Sequence, residues 1–150
     1  MPTPAPIRSP ATKDVGRHLE PTSRPRVLLV DDLETNRFLL EEALAEVGVE
    51  ILVAETGKRA LDIVSASQPE VVVIDFQMPG LTGAETVRRI KARPGAPFTY
   101  VILMSGYREA GEEDVGDPAY ADRFLGRPFA LDELRASVEE GLRLAHERRR

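Results

Sequence analysis

The chain has 150 residues, no cysteine, 42% hydrophobic and 30% charged residues, and a formal charge of -5 at pH 7. At this length one domain with a tail is expected, with no second domain. The missing cysteine excludes disulfide frameworks, thiolate zinc sites and cysteine nucleophiles.

Six of the twelve prolines fall within residues 1–25, mixed with Ser, Thr and Ala, so this stretch buries too little to offset its ordering entropy and reads as a flexible tail. It lacks the continuous apolar segment of a signal peptide, and no stretch reaches membrane-spanning length, so a cytoplasmic protein with no membrane partner is expected. The acidic balance lies in the body that follows, because residues 1–25 hold four of the 20 basic but only two of the 25 acidic side chains. Nucleic acid is therefore disfavoured as a partner.

From Arg26 onward, short β-branched runs alternate with segments of helical period. Strands are expected near 26–31, 49–54, 71–75, 99–104 and 122–126. Between them, Leu40, Leu44 and Val47 form one apolar stripe, Leu61 and Val64 a second, Ala84, Val87 and Ile90 a third, and Leu134, Val138 and Leu142 the last. Runs this apolar are covered on both faces, and the alternation predicts a doubly wound α/β sheet. Thr56-Gly57-Lys58 resembles the end of a nucleotide loop but lacks its earlier glycine, and it reads as a helix start. The weak element is YREAGEEDVGDPAYADR, where Gly111, Gly116 and Pro118 oppose a continuous fourth helix and leave at most one turn over 118–121.

Asp31-Asp32 close the first run and Asp75 closes the third strand, while Ser105 and Arg127 follow the fourth and fifth. An open parallel sheet gathers the carboxyl ends of its strands along one edge, so these groups converge. Three carboxylates there repel by roughly 4 kcal/mol per pair at about 4 Å and an effective dielectric near 20, which calls for a cation. Hard oxygen donors without His or Cys favour magnesium.

The text VLLVDD followed by Asn36-Arg37, then VVVIDFQMPGLTG, VILMSGY and FLGRPF, resembles the response-regulator receiver domains of bacterial phosphorelays. The likeness covers about residues 26–147, and Asp75 to Gly83 is its most specific part. It implies a flavodoxin-like fold with five parallel strands in the order 2-1-3-4-5. It also implies that Asp75 accepts a phosphoryl group from a phosphohistidine on a histidine kinase or histidine phosphotransfer protein. Asp32 and Asp75 then ligate Mg2+ directly, Asp31 acts through water, Gln77 contributes its backbone carbonyl, and Ser105 and Arg127 meet the phosphoryl oxygens. Such a protein is not an enzyme beyond its own phosphorylation and dephosphorylation, and it signals by contact with a downstream protein.

Two departures stand out. Arg127 replaces the lysine of the family and keeps the charge on a longer, planar group. Phe124 stands at the switch aromatic position, where it either occupies a buried rotamer before phosphorylation or is simply core. Gln77 and Tyr107 flank the path of an attacking water, and Tyr107 is expected to slow hydrolysis. His18 and His146 read as bystanders, and Arg148 to Arg150 as a basic terminus suiting the helix dipole. Apolar surface left over on the last helix would support a homodimer. The competing readings are a phosphorylation-independent binding module using the 107–127 surface and a magnesium-dependent phosphohydrolase. Gln77, where the latter would carry a second Asp, opposes the phosphohydrolase.

Overall fold

The computed structural model describes residues 24–105 and 121–150. Five strands, β1 (Arg26–Val30), β2 (Glu50–Ala54), β3 (Val71–Asp75), β4 (Tyr100–Ser105) and β5 (Arg123–Gly126), alternate with α1 (Glu34–Ala43), α2 (Gly57–Ser67), α3 (Gly83–Lys91) and the final α4 (Leu131–Arg149). All strand pairs are parallel, and the order across the sheet is β2-β1-β3-β4-β5.

The uninterrupted apolar runs follow from two-sided burial. Successive strand side chains point to opposite faces. Val27 and Leu29 of β1 enter one core with Leu40, Leu44, Leu134 and Val138, while Leu28 and Val30 enter the other with Ala60, Val64, Val87 and Ile90. The first core lies under α1 and α4, and the second under α2 and α3. The expected stripes meet these cores with exceptions: Val47, Leu61 and Leu142 lie at their margins, only partly buried, and Ala84 is partly buried and belongs to neither core, Thr86 being the residue that α3 buries beside Val87 and Ile90. In α1 the helix stops at Ala43, so Leu44 packs from the cap position and Val47 from beyond it.

Local chemistry sets the helix starts. The Thr56 hydroxyl accepts from the Arg59 amide at 3.0 Å and the Thr82 hydroxyl from the Glu85 amide at 3.1 Å, each satisfying an amide of a first turn. Thr56-Gly57-Lys58 thus opens α2, as its sequence predicts. Gly83 opens α3 against the end of β3: a Cβ there would strike the carbonyl oxygen of Asp75 and come within 2.7 Å of the Phe76 Cα.

At the opposite edge of the sheet, Arg149 is more than a dipole-matched terminus. Its Nε donates to the Phe98 carbonyl at 2.7 Å and its Nη2 to the Pro69 carbonyl at 2.9 Å, tying the last turn of α4 to the loops that precede β4 and β3. His146 is exposed on α4. No described helix is long and apolar enough to cross a membrane. Residues 1–23 of the tail, with His18, and the expected turn over 118–121, apart from Ala121, lie outside the described residues, as does Tyr107.

Candidate functional site

Register builds the site. Val30 pairs with Ala54 and Ile74, Asp75 with Met104, and Ser105 with Gly126, so the chain leaves β1, β3, β4 and β5 at one edge. The Arg127 amide donates to the Ser105 carbonyl at 2.7 Å and the Phe76 amide to the Met104 carbonyl at 2.7 Å, which extends the ladder one step into the loops. Side chains from these loops must share the space above the sheet.

Asp31, Asp32 and Asp75 each offer a carboxylate oxygen within 4.8 Å of the others. Their environments differ. Asp31 is fully buried, and its Oδ1 accepts from the Leu33 amide at 3.0 Å. The Asn36 amide group lies 3.3 Å from Oδ2 and 3.5 Å from Oδ1, and the Arg37 guanidinium donates to the Asp31 backbone carbonyl at 2.7 Å. Asp32 is exposed. Asp75 is buried and accepts from the Gln77 amide at 3.3 Å. Gln77 itself is exposed.

Arg127 joins the two buried acids. Its Nη1 lies 3.2 Å from Asp75 Oδ1 and its Nη2 3.5 Å from Asp31 Oδ2. Burial pushes the Asp75 carboxyl above the ordinary aspartate range; Arg127 pulls it back, and the charge of Asp31 adds to the rise. Ser105 is fully buried at the end of β4. Phe124 is half-buried and packs against the core beneath α2 and α3.

The donor set suits magnesium. Two oxygens on one octahedral Mg2+ stand about 3 Å apart when adjacent and about 4.2 Å when opposite, given metal–oxygen distances near 2.1 Å. Three oxygens within 4.8 Å of one another therefore fit two direct ligands and a third acting through water. Of the three, Asp32 alone is exposed, and Asp31 is already engaged by the Leu33 amide and Asn36.

Sequence reasoning gave no role to Asn36, Arg37 or the surface of α1. Leu33, Phe38 and Leu39 are each more than half exposed, and Leu131 across from them is 44% exposed. Between these elements runs a groove of about 490 Å³ lined by Asn36, Leu39, Leu40, Met104, Phe129 and Leu131, opening beside Asp31 and Arg127. The available signal was periodicity: Phe38 and Leu39 are large apolar residues off the Leu40–Leu44 stripe, and the helix leaves them on its outer face.

Comparison with known proteins agrees with this geometry. Residues 27–139 match the family described as "Response regulator receiver domain". The chain is 37% identical over 118 residues to the uncharacterized transcriptional regulatory protein YrkP of Bacillus subtilis, covering 79% of this chain and 49% of that protein. It is 33% identical over 119 residues to sporulation initiation phosphotransferase F of the same organism, covering 79% of this chain and 94% of that protein. Among solved structures, the receiver domain of the Francisella response regulator 1452 superposes with a TM-score of 0.70 at 29% identity, covering 80% of this chain and 98% of that one. The chain spans about half the length of YrkP and of the response regulators named MprA that it also matches. A doubly wound sheet with its acids, hydroxyl and cation along one edge, matched over most of its length, places this chain in the response regulator receiver family.

Proposed function

We propose that Asp75 accepts a phosphoryl group from a phosphohistidine on a histidine kinase or phosphotransfer protein, with Mg2+ bound, and that the chain signals through protein contacts in the cytoplasm. Residues 26–147 serve as the receiver unit and 1–25 as a tail. The observation that carries this reading is the position of Asp75: buried, 3.2 Å from Arg127, and sharing a gap of at most 4.8 Å with Asp31 and Asp32.

In this reading an oxygen of Asp75 forms the new P–O bond as the P–N bond to the donor histidine breaks, and the electron pair returns to the imidazole. Asp32 and Asp75 would hold the metal, with Asp31 behind them and the Gln77 carbonyl as a further ligand, and magnesium bound there would offset charge on the phosphoryl oxygens. Arg127 supplies a second cation, and the Ser105 hydroxyl a hydrogen bond. Burial serves the chemistry by excluding water around the acceptor. The groove bordered by Leu39 and Leu131 opens beside Asp31 and Arg127, so a donor seated on it carries its phosphohistidine to the site.

Incubation with acetyl phosphate and Mg2+, followed by intact mass measurement, tests this. Wild type gains the mass of one phosphoryl group, whereas Asp75→Asn gains none, and neither does wild type in EDTA. No gain by wild type overturns the reading.

A further inference from the structure

We infer that the amino edge of the sheet, opposite the acid cluster, carries an oxyanion site that takes a phosphate group at Arg93 and Arg149, with Arg26 and Arg148 alongside. Three of these guanidiniums come from distant parts of the chain and converge on consecutive residues. Arg26 donates to the Ser67 carbonyl at 3.0 Å, Arg93 to the Gln68 side-chain oxygen at 3.3 Å, and Arg149 to the Pro69 carbonyl at 2.9 Å. Second contacts fix the direction of two of them: Arg93 Nε donates to the Ile90 carbonyl at 3.1 Å and Arg149 Nε to the Phe98 carbonyl at 2.7 Å. The Arg148 guanidinium stands over the Phe98 ring, 4.8 Å from its centre. Carbonyl oxygens and a ring orient a cation without cancelling its charge.

Formal charge at this edge is unbalanced. Among the described residues, Arg26 pairs with Glu50 at 3.2 Å and Arg149 meets Glu70 only at 3.8 Å, while Arg93 and Arg148 pair with no carboxylate. Glu70 is also shared, because its other oxygen accepts the Arg26 amide at 2.8 Å. Four cations thus face two carboxylates, and the excess matches the charge of a phosphate group, close to two negative units at neutral pH. Two of the cations are also partly withdrawn from water: burial weakens the hold of Arg93 and Arg149 on their protons, and the charge of Arg149 adds to the effect at Arg93. Arg93 Nη2 has no hydrogen-bond partner among the described residues, so an already oriented guanidinium keeps a donor for an incoming oxygen. Phosphate presents several oxygens to such planar forks, where chloride offers a single point.

NMR of the arginine Nε–H groups tests this, with sodium phosphate added to the full chain in the absence of Mg2+ and ionic strength held constant with NaCl. The expected result is a saturable shift of the Arg93 and Arg149 signals, with a Kd for phosphate about tenfold higher in Arg93→Gln, the worth of one charge-assisted contact. Arg127 reports the acid edge in the same spectra, so binding at the two edges is told apart. Shifts that never saturate, that occur at Arg127 alone, or that follow an unchanged Kd in a folded Arg93→Gln variant overturn the inference. Should the variant not fold, wild type decides: saturation of Arg93 and Arg149 by phosphate but not by NaCl supports the site, and an equal response to both salts overturns it. AMP in place of inorganic phosphate separates the sources. Tighter binding of AMP supports a site for a phosphate ester, and weaker binding a site for the free ion.

Discussion

Gly83→Ala tests how closely α3 is fitted to the backbone of Asp75 and Phe76. The added methyl would collide with the Asp75 carbonyl oxygen and lie 2.7 Å from the Phe76 Cα and 2.9 Å from the Asp75 carbonyl carbon. Carbon atoms rest at about 3.5 Å or more, so the shortfall to Phe76 is roughly 0.8 Å. All three neighbours are backbone, and no side chain can rotate away. Relief requires α3 to retreat or the end of β3 to move. Overpacking of this kind costs about 1–3 kcal/mol. At about 4 °C per kcal/mol for a domain of this size, the melting temperature falls by about 4–12 °C. A displacement approaching 1 Å at the reacting group slows phosphorylation by acetyl phosphate up to about a hundredfold. Gly48→Ala is the control. With φ at +85° and nothing within 4 Å of the added methyl, it costs about 1 kcal/mol of backbone strain while leaving the phosphorylation rate alone. Unchanged melting and unchanged phosphorylation in Gly83→Ala would refute the fitted-backbone argument.

Asp75→Asn should melt higher than wild type at neutral pH without metal. The folded carboxyl titrates above its usual range, so wild-type stability falls as pH rises from about 3.9, the unfolded value, through the raised folded value, and the difference between the two proteins closes below that window. Equal melting at neutral pH would count against it. At ten times its Kd, Mg2+ should stabilise wild type by about 1.4 kcal/mol, an effect that EDTA reverses and Asp32→Asn removes, as thermal melts will show. Ser105→Ala should slow phosphoryl uptake by about a hundredfold through loss of one donor to the phosphoryl oxygens, followed by intact mass against time. If the donor protein docks on α1 as proposed, Phe38→Asp on its exposed face should cut transfer from a phosphorylated histidine kinase by about tenfold, leaving uptake from acetyl phosphate unchanged.

Much of the fold was legible because β-strand and helix periods leave different traces. Val27 to Val30 and Val71 to Ile74 read as strands buried on both sides, and they alternate between the two cores. Family resemblance supplied the strand order, which no local pattern encodes. Asp31, Asp75, Ser105 and Arg127 were placed on one edge for a topological reason: in a parallel sheet every strand ends on the same side. Other features were not legible. Arg149 read only as part of a basic terminus suiting the helix dipole, yet it bonds to carbonyls 51 and 80 residues earlier in the chain. Nothing near Arg149 in sequence announces partners that far away.

The order of residues alone determined which groups stand at strand ends, since that depends only on where each apolar run stops. Tertiary structure decided how those groups divide the work: Asp31 sealed beneath α1, Asp32 left open, and Arg127 stretched between Asp31 and Asp75. A long side chain has several rotatable bonds and no preferred endpoint of its own, so its place is set by the charges and walls that surround it once the strands are packed.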